Sequence, residues 1–475
     1  MMRRISLVQP SLSLKERYGT LGQLGYIEPH IGLCYLASVV RQNGFDVQVV
    51  DAQALSLDLM KTKELILSFQ PSFVGITAVS QLITAAAALA EEIKKSNKLI
   101  VTIIGGCHIT SLPGQTMLDF PNFDIGVLEE GEDTLVELLK ALALGRDISL
   151  IKGIIFKKDG NLIQTEPRPR IEDLDRLPFP AFDLLPRIEK YYRVGVQSCS
   201  CGPTISLNTS RGCSSQCTFC DASIHGRYLR YHSAGYVFKL LKHCIQKYKI
   251  NNFFFNDSSF LLPFLRFKKL ANLIEKERLR IHWSCMSRID IINEEMLSLA
   301  KKIGCQQILY GIESGSQKIL DFYKKGITLA QIKKNIALTK KKGILAKGFF
   351  IFGNPLESKK TIKESIDFMM DVGLDDVGIS LFAPFPGTIH YNNISQYGNY
   401  INRWEKMSHY MPVFIPHGFN EKKLLNYTKI AYRKFYFRGP IIVSYLKRCN
   451  NFWRIINFLR AGIVFIYYTF FERDI

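Results

Sequence analysis

The sequence predicts an α/β protein with two successive parallel sheets and a helical C-terminal extension. Three observations support this prediction. Short apolar runs alternate with helical segments over residues 1–150, the same alternation resumes over 201–420, and residues 421–475 are basic and aromatic without strand-like runs. At 475 residues the chain is also too long for one hydrophobic core. We therefore expect two sheet domains in these first two regions, a linking segment over 151–200, and the extension.

Composition and charge narrow the class of protein. Hydrophobic residues make up 47% and charged residues 22% of the chain, which excludes a disordered or fibrous protein. A mean hydropathy of +0.03 argues against a polytopic membrane protein. The net charge of +20 is uneven: residues 1–150 hold 12 basic and 16 acidic residues, whereas residues 421–475 hold 11 and 3. A basic surface suits nucleic acid, an anionic membrane or an anionic small molecule, and composition does not choose among them.

The cysteines indicate a reducing compartment. Their number, 11, is odd, their spacing is irregular, and the apolar stretch after Met1 is too short for a signal peptide. Reduced thiols or metal ligands fit this pattern better than a disulfide framework does. We therefore expect a cytoplasmic protein.

Five short apolar runs predict the strands of the first domain. They cover residues 4–8, 46–50, 73–77, 99–104 and 124–128. Between them, apolar residues recur at intervals of three and four, which indicates helices. Because nearly continuous apolar strands that alternate with helices form parallel sheets covered on both faces, we expect a doubly wound, Rossmann-like sheet.

Candidate ligand-binding residues follow three of these strands. Ligands of such sheets bind beyond the carboxyl ends of the strands, where glycines let the backbone approach a flat ligand. Each of these features also has an ordinary structural explanation. A glycine pair is typical of a tight turn, and an acidic residue before a helix often caps it. A lone histidine is often a polar residue whose hydrogen bonds are satisfied within the protein. The candidates are Thr77, Ser80, Gly105, Gly106, His108, Glu130 and Gly131.

In this order, residues 29–44, 105–113 and 124–135 resemble the cobalamin (vitamin B12)-binding domain found fused to radical S-adenosylmethionine (SAM) enzymes. The resemblance covers residues 1–150 and implies that the candidates contact cobalamin. Mutase-type cobalamin domains carry an Asp-x-His-x-x-Gly motif whose histidine ligates cobalt. No histidine follows Asp51 at that spacing, so bound cobalamin would lack this imidazole on its lower face. A sheet that has lost its cofactor stays an alternative.

A cysteine loop carries the most specific motif of the chain. Cys213, Cys217 and Cys220 have C-x3-C-x2-C spacing directly after a predicted strand at 204–208. Thiolates are the usual ligands of iron–sulfur clusters, and three of them leave one iron of a cubane open. Zinc is the alternative, but a structural zinc site needs a fourth ligand. The nearest candidates for that ligand are Cys199, Cys201 and His225.

This loop resembles that of the radical SAM superfamily. The resemblance implies that the three cysteines hold a [4Fe–4S] cluster whose open iron chelates SAM, and that Phe219 packs near the adenine. It also implies reductive cleavage of SAM to a 5′-deoxyadenosyl radical, with an electron donor such as flavodoxin or ferredoxin. Core packing would account for Phe219 equally well.

Further apolar runs predict a partial (β/α)6, TIM-like barrel behind the loop. They cover residues 252–256, 281–285, 307–311, 346–352 and 377–382, with helical segments between them. Polar residues stand at successive strand ends, where the active site of such a barrel lies. By the resemblance, Glu313 and Ser314 would contact the amino acid part of SAM, and Arg288 suits its carboxylate; strand-end caps and turns are the alternative. The candidate SAM residues are Phe219, Asp257, Ser287, Arg288, Gly311, Glu313 and Ser314.

The remaining segments carry no chemical motif. Residues 153–165 read as a basic hairpin, and the prolines of residues 174–186 predict a packed, extended segment rather than a helix. In the extension, the uninterrupted apolar run over residues 461–471 has only 11 residues, against the roughly 20 that a membrane span needs. A core or lid helix is our first interpretation of it, and a helix lying on an anionic membrane is the second.

The two resemblances together imply a cobalamin-dependent radical SAM enzyme that methylates an unactivated carbon of a small-molecule or lipid-like substrate. Ring closure or skeletal rearrangement with the same cofactors is the alternative. A tRNA methylthiotransferase, which would use the basic surface for RNA, needs three more cysteines in its first domain, but residues 1–198 hold only Cys34 and Cys107. We therefore do not expect a nucleic acid partner. A cobalamin or iron–sulfur sensor without turnover is the non-catalytic alternative.

Overall fold

The computed structural model describes residues 3–192, 202–448 and 452–471. Its N-terminal sheet has seven strands in the order β2-β1-β3-β4-β5-β6-β7, of which the first five are parallel. The order reverses between β1 and β3, as in doubly wound folds that bind ligands at this point. The strands are β1 (Arg4–Gln9), β2 (Asp46–Asp51), β3 (Phe73–Thr77), β4 (Val101–Gly105), β5 (Ile125–Val127), β6 (Ile154–Lys158) and β7 (Asn161–Gln164).

Helices cover both faces of this sheet. Alternate residues of the strands feed two separate cores: Val74 and Ile104 pack on one face, and Phe73 and Ile103 on the other. Because both faces are buried, the strands read as continuous apolar runs, and the predicted Rossmann-like sheet is confirmed. The helices are α1 (Leu14–Tyr18), α2 (Ile31–Gln42), α3 (Leu59–Ser68), α4 (Ile83–Ser96), α5 (Cys107–Ser111), α6 (Pro113–Asp119) and α7 (Gly131–Ala143).

Two details of the first domain differ from the prediction. Strand β4 begins at Val101 rather than Leu99, because Leu99 lies in a turn where its amide bonds the Asn97 side chain and its own side chain is 80% exposed. The hairpin β6–β7, which the sequence analysis places in the linking segment, extends the first sheet: β6 pairs antiparallel with β5. Buried Ile154 and Phe156 hold it against the core of the first domain.

The second sheet is the predicted six-stranded partial barrel. Its strands are all parallel, in the order β15-β14-β13-β12-β11-β8, while β9 and β10 form a separate two-stranded ribbon. The strands of this domain are β8 (Thr204–Leu207), β9 (Ser210–Arg211), β10 (Arg230–Tyr231), β11 (Asn252–Phe255), β12 (His282–Ser287), β13 (Cys305–Glu313), β14 (Leu345–Phe352) and β15 (Asp376–Leu381).

Amphipathic helices cover the outside of the barrel. Their buried faces join the strands in one large core, with Trp283 and Phe267 among its largest fully buried side chains. A short helix, α8 (Ile188–Tyr191), precedes the barrel, and between residues 165 and 187 the chain forms only short 3₁₀ turns, as its prolines predict. The barrel helices are α9 (Ala234–Tyr248), α10 (Phe264–Lys276), α11 (Glu294–Lys302), α12 (Gln317–Phe322), α13 (Leu329–Lys341) and α14 (Lys359–Asp371).

The C-terminal part is helical, as expected. A small ribbon of β16 (Gly398–Tyr400) and β17 (Phe414–Pro416) leads into three helices, α15 (Glu421–Tyr436), α16 (Gly439–Arg448) and α17 (Phe452–Ile466). A π-helical turn, Tyr467–Phe471, follows α17. Within the three described ranges, no helix combines the length and apolarity that crossing a bilayer requires.

Candidate functional site

The cysteine loop lies between β9 and β10, at the carboxyl end of the barrel. Cys213, Cys217 and Cys220 line a cavity of about 230 Å³. Gly212 has φ +82°, and a Cβ there would lie 2.0 Å from the Tyr228 carbonyl oxygen, so only glycine fits the start of the loop. The amide of Thr218 donates to the Tyr323 carbonyl at 3.0 Å, which fixes the middle of the loop to the segment after α12.

The loop needs a positive charge to hold three thiolates. Burial, followed by the charges of Cys217 and Cys213, raises the pKa of Cys220 to about 11. In the described part of the chain, no three His, Cys, Asp or Glu side chains are placed to hold a single metal ion. The irons of a cubane bind their ligands at separate corners and would supply the missing charge, so the donor set fits a [4Fe–4S] cluster.

Among the described residues, no His or Cys side chain joins the cysteine loop in an arrangement that would hold a single zinc ion. His225 lines the same cavity, and its Nδ1 lies 3.1 Å from the Glu130 carboxylate, which leaves Nε2 free. Cys199 and Cys201 lie outside the described residues. Cys107, from the first domain, also lines the cavity, and burial raises the pKa of its thiol to about 11.

Lys325 gathers three of the predicted SAM residues beside the cysteines. Its ammonium lies 2.6 Å from Glu313 Oε1 and 5.8 Å from the centre of the Phe219 ring, and its carbonyl accepts from Arg288 at 2.8 Å. A Cβ on Gly311 would meet the ion pair, so this glycine makes room for it. The sequence analysis missed Lys325, because nothing in the sequence separates it from its neighbour Lys324.

Arg288 connects this group to the cysteine loop. Its guanidinium is held by both oxygens of Asp290 at 2.9 Å, donates to Ser215 Oγ at 2.7 Å and lies 4.0 Å from Cys217 Sγ. Burial works to lower the pKa of Arg288, but Asp290 and the cysteine charges raise it overall. The side chain is therefore a fixed cation at the edge of the cluster cavity.

Three other predicted SAM residues bond mainly to the protein itself. Asp257 is buried and accepts from the amide and hydroxyl of Thr209 and from the Ser210 hydroxyl. Ser314 Oγ lies 3.0 Å from Ser365 Oγ, and Ser287 donates to the carbonyl of Arg288. These contacts tie the strand ends β8, β11, β12 and β13 to their neighbours, and a role of the three side chains in SAM binding stays a prediction.

A second cavity, of about 290 Å³, lies at the carboxyl edge of the first sheet. Residues of the barrel domain, including Arg211 and His225, line its other side, so the cavity lies between the two domains. Gly106 has φ +106°, and a Cβ there would lie 2.7 Å from the Ala78 carbonyl, so glycine is required beside β3. The predicted cobalamin residues that line this cavity are Thr77, Gly105, Gly106, Glu130 and Gly131.

Two predicted cobalamin residues do not line this cavity. His108 is buried, its Nδ1 lies 3.1 Å from Ser80 Oγ, and its ring packs edge-on against Trp404. Burial lowers the pKa of His108 to about 4, so the imidazole is neutral near pH 7. Ser80 and His108 thus satisfy each other behind the wall of the cavity, and their contact with cobalamin stays a prediction.

The Glu130 carboxylate holds the two domains together. It accepts two bonds from Arg230, at 2.7 and 2.9 Å, one from the amide of Ile171, and lies beside His225. Burial alone would raise the pKa of Glu130, but the bonds from His225 and Arg230 and the charge of Arg211 lower it. The sequence analysis missed Arg230 and Arg211, which look like ordinary members of a basic segment.

His30 is a further cavity residue that the sequence analysis missed. It caps helix α2, its Nδ1 accepts from the amide of Leu33 at 3.1 Å, and burial lowers its pKa to about 4. Because the Nδ1 lone pair accepts the hydrogen bond from the Leu33 amide, the neutral ring carries its proton on Nε2. The residue is therefore arranged as a hydrogen-bond donor.

The two cavities share a wall. Ile224 and His225, which follow the cysteine loop, line both of them. Because the Glu130 carboxylate holds the His225 ring, this wall is fixed from the first domain. A ligand above the first sheet and a ligand at the cysteine loop would thus lie on opposite sides of two side chains.

Comparisons with known proteins agree with both halves of the structure. Residues 19–139 match the family model of the B12 binding domain, and residues 207–369 match that of the Radical SAM superfamily. An uncharacterized methyltransferase of Pyrococcus horikoshii is 33% identical over 473 residues, which cover 98% of this chain and 99% of the relative.

Two further similarities extend over most of the chain. An anaerobic magnesium-protoporphyrin IX monomethyl ester cyclase of Rubrivivax gelatinosus is 28% identical over 415 residues, 86% of this chain and 74% of the relative. The solved structure of the cobalamin-dependent S-adenosylmethionine radical enzyme OxsB with aqua-cobalamin bound is 18% identical, with a TM-score of 0.74 over 98% of this chain and 72% of that one. At this identity the structural match concerns the fold.

Proposed function

This chain belongs to the radical SAM superfamily and carries an N-terminal B12-binding domain, and on that premise we propose that it methylates an unactivated carbon atom of a small-molecule or lipid-like substrate. When bound, the cofactors of this class supply the difficult chemistry: a [4Fe–4S] cluster with SAM provides the adenosyl radical, and cobalamin provides the methyl group. The single observation that carries the proposal is the wall of Ile224 and His225 shared by the two cavities.

The barrel residues would position SAM at the cysteine loop. Cys213, Cys217 and Cys220 supply the thiolates, and Arg288 is held where it can attract a carboxylate. Glu313 suits an ammonium group, and Lys325 now fills that place at 2.6 Å. We expect Lys325 to shift when SAM binds, because its ammonium occupies the place beside Glu313 that the SAM ammonium would take.

The first sheet would hold cobalamin against the barrel. Gly105 and Gly106 bring the backbone edge to the cavity without side chains, which suits a flat macrocycle. Hydrogen-bond donors such as His30 Nε2 suit the amide groups on its rim. Because His30 carries its proton on Nε2, it would meet cobalamin as a hydrogen-bond donor and not as a cobalt ligand.

Ring closure is the second candidate, favoured by the similarity to the magnesium-protoporphyrin cyclase. Both reactions begin with hydrogen abstraction, and they differ in whether a methyl group is added. The similarity to the Pyrococcus methyltransferase extends over nearly all of both chains and favours methylation. An electron donor such as flavodoxin or ferredoxin would serve either reaction.

Anaerobic incubation of reconstituted protein with SAM and dithionite tests the radical mechanism on which the proposal rests. We expect 5′-deoxyadenosine from the natural chain, none from Cys220→Ala, and continued formation from Cys107→Ala, since Cys107 lines the cavity but lies outside the cysteine motif. Iron analysis of the same samples should show a loss only with Cys220→Ala. Formation of 5′-deoxyadenosine without any iron, or its absence from the iron-loaded natural chain, would refute the radical mechanism.

A further inference from the structure

The outward faces of the last two helices are apolar. On α16, the exposed positions include Ile442, Val443 and Leu446, which fall on one side of the helix. In a surface helix of a water-soluble domain, this side would be polar. The inward side of the helix already has its partners, since Ile441 is buried in the core.

Helix α17 repeats the pattern. Ile455, Ile456, Leu459 and Ile463 are exposed at intervals of one, three and four, with Ile463 70% accessible. The opposite side packs on α15, where the Phe465 ring meets Tyr432 and Tyr436. The π-helical turn that follows adds exposed Phe470 and Phe471. We call the exposed apolar side chains of residues 442–471 the C-terminal apolar face.

The segment that carries this face is strongly basic. Between residues 406 and 471 the sequence has a single acidic residue, Glu421, against 11 lysines and arginines. Lys447 and Arg460 are exposed next to Leu446 and Leu459, on the outward sides of the two helices. Long basic side chains at the margin of an apolar face can reach lipid headgroups while their stems stay in the apolar layer.

We propose that the C-terminal apolar face binds an anionic lipid bilayer, with α16 and α17 lying in the interface. The apolar side chains of the face suit acyl chains, and the basic side chains beside them suit anionic headgroups. A second copy of the chain would bring two strongly basic extensions together, so charge complementarity favours lipid over self-association. This inference concerns the surface and holds whichever reaction the enzyme performs.

Vesicle flotation tests the proposal directly. We expect the natural chain to float with phosphatidylcholine vesicles that contain phosphatidylglycerol, and less with phosphatidylcholine alone. The double variant Leu459→Glu, Ile463→Glu removes exposed apolar groups, so we expect its partition to fall about tenfold or more. The matched control is Leu265→Glu, which changes a 74% exposed leucine of α10 and should float like the natural chain.

Circular dichroism of all variants checks that they are folded, as expected for substitutions at exposed positions. The proposal is overturned if the natural chain fails to float at low salt, or if the double variant floats as well as the control. It is also overturned if size-exclusion chromatography shows a dimer that the double variant converts to a monomer, because a second copy would then cover the face. None of these results depends on cofactor loading, so they are separate from the test of the reaction.

Discussion

At the scale of single residues, several buried polar groups serve the frame of the site rather than its ligands. Glu357 is the clearest example, because it lies behind the strand end of β14 and accepts from the Gly353 amide at 3.0 Å and the Asn354 side chain at 2.8 Å. Thr361 donates to its other oxygen. Burial, despite these bonds, raises the pKa of Glu357 from 4.5 to about 7.

The Glu357 carboxyl should make stability depend on pH. Its folded pKa lies above its unfolded value, so the folded state binds the proton more tightly, and stability is lost as pH rises from about 5 to about 7. Glu357→Gln cannot ionise and should be more stable than the natural chain above pH 7, by about 1–3 kcal/mol, with the difference vanishing below pH 4. Urea unfolding at a series of pH values measures this. The exposed Glu421→Gln serves as control, and equal pH profiles for all three proteins would contradict the assignment.

The residue scale is also where the sequence was least informative. The C-x3-C-x2-C spacing identified the cysteine loop, because the motif is local in the chain. Lys325, Arg230 and Arg211 were not found, since their roles depend on partners 12 to 100 positions away. Glu130 lines the predicted cobalamin cavity while its carboxylate bonds Arg230 and the Ile171 amide, and its contact with cobalamin stays a prediction.

At the scale of elements, every parallel strand of the two sheets was predicted to within two residues at each end, whereas the hairpin β6–β7 was placed in the linking segment although it extends the first sheet. The apolar periodicity of a strand lies within the strand's own residues, so the strand positions could be predicted directly from the sequence. Helix ends follow less obvious rules. Helix α9 ends at Tyr248 and is capped by Lys249, which has φ +58° and ψ +27° and whose amide donates to the Ile245 carbonyl.

Replacing Lys249 by glycine should stabilise the protein. A left-handed conformation is costly for residues with a Cβ, so Lys249→Gly should raise the free energy of unfolding by about 0.5–1 kcal/mol. The same substitution two positions earlier, Lys247→Gly, lies inside the helix and should lower it by about 1 kcal/mol. Urea denaturation of both variants measures the contrast. A destabilising Lys249→Gly would mean that its side chain, rather than its backbone, matters.

At the scale of the whole molecule, the two domains meet through buried charges. Glu130 and Glu132 at the start of α7 face Arg230 and Arg211 of the ribbon that flanks the cysteine loop. Both arginines are largely buried, so these ion pairs between the domains are shielded from water. The position of the first sheet against the cysteine loop therefore depends on these ion pairs. The composition and the apolar periodicity of the sequence do not predict which charges pair.

Removing one partner of the Glu130–Arg230 ion pair should lower the free energy of unfolding more than removing both partners. Arg230→Gln leaves the Glu130 carboxylate buried without its main partner, so we expect a loss of about 3–5 kcal/mol. The double variant Glu130→Gln, Arg230→Gln removes both charges and should recover part of that loss. Chemical unfolding of the natural chain, the two single variants and the double variant measures the coupling. Additive losses would show that the pair contributes nothing as a pair.

One contact joins the first domain to the C-terminal helices. The 3₁₀ segment Gly19–Leu24, just before α2, packs against helix α17. During synthesis, this part of the first domain must therefore wait until more than 400 further residues have left the ribosome before it meets its partner. Until then the surface that this segment later shares with α17 stays exposed to solvent.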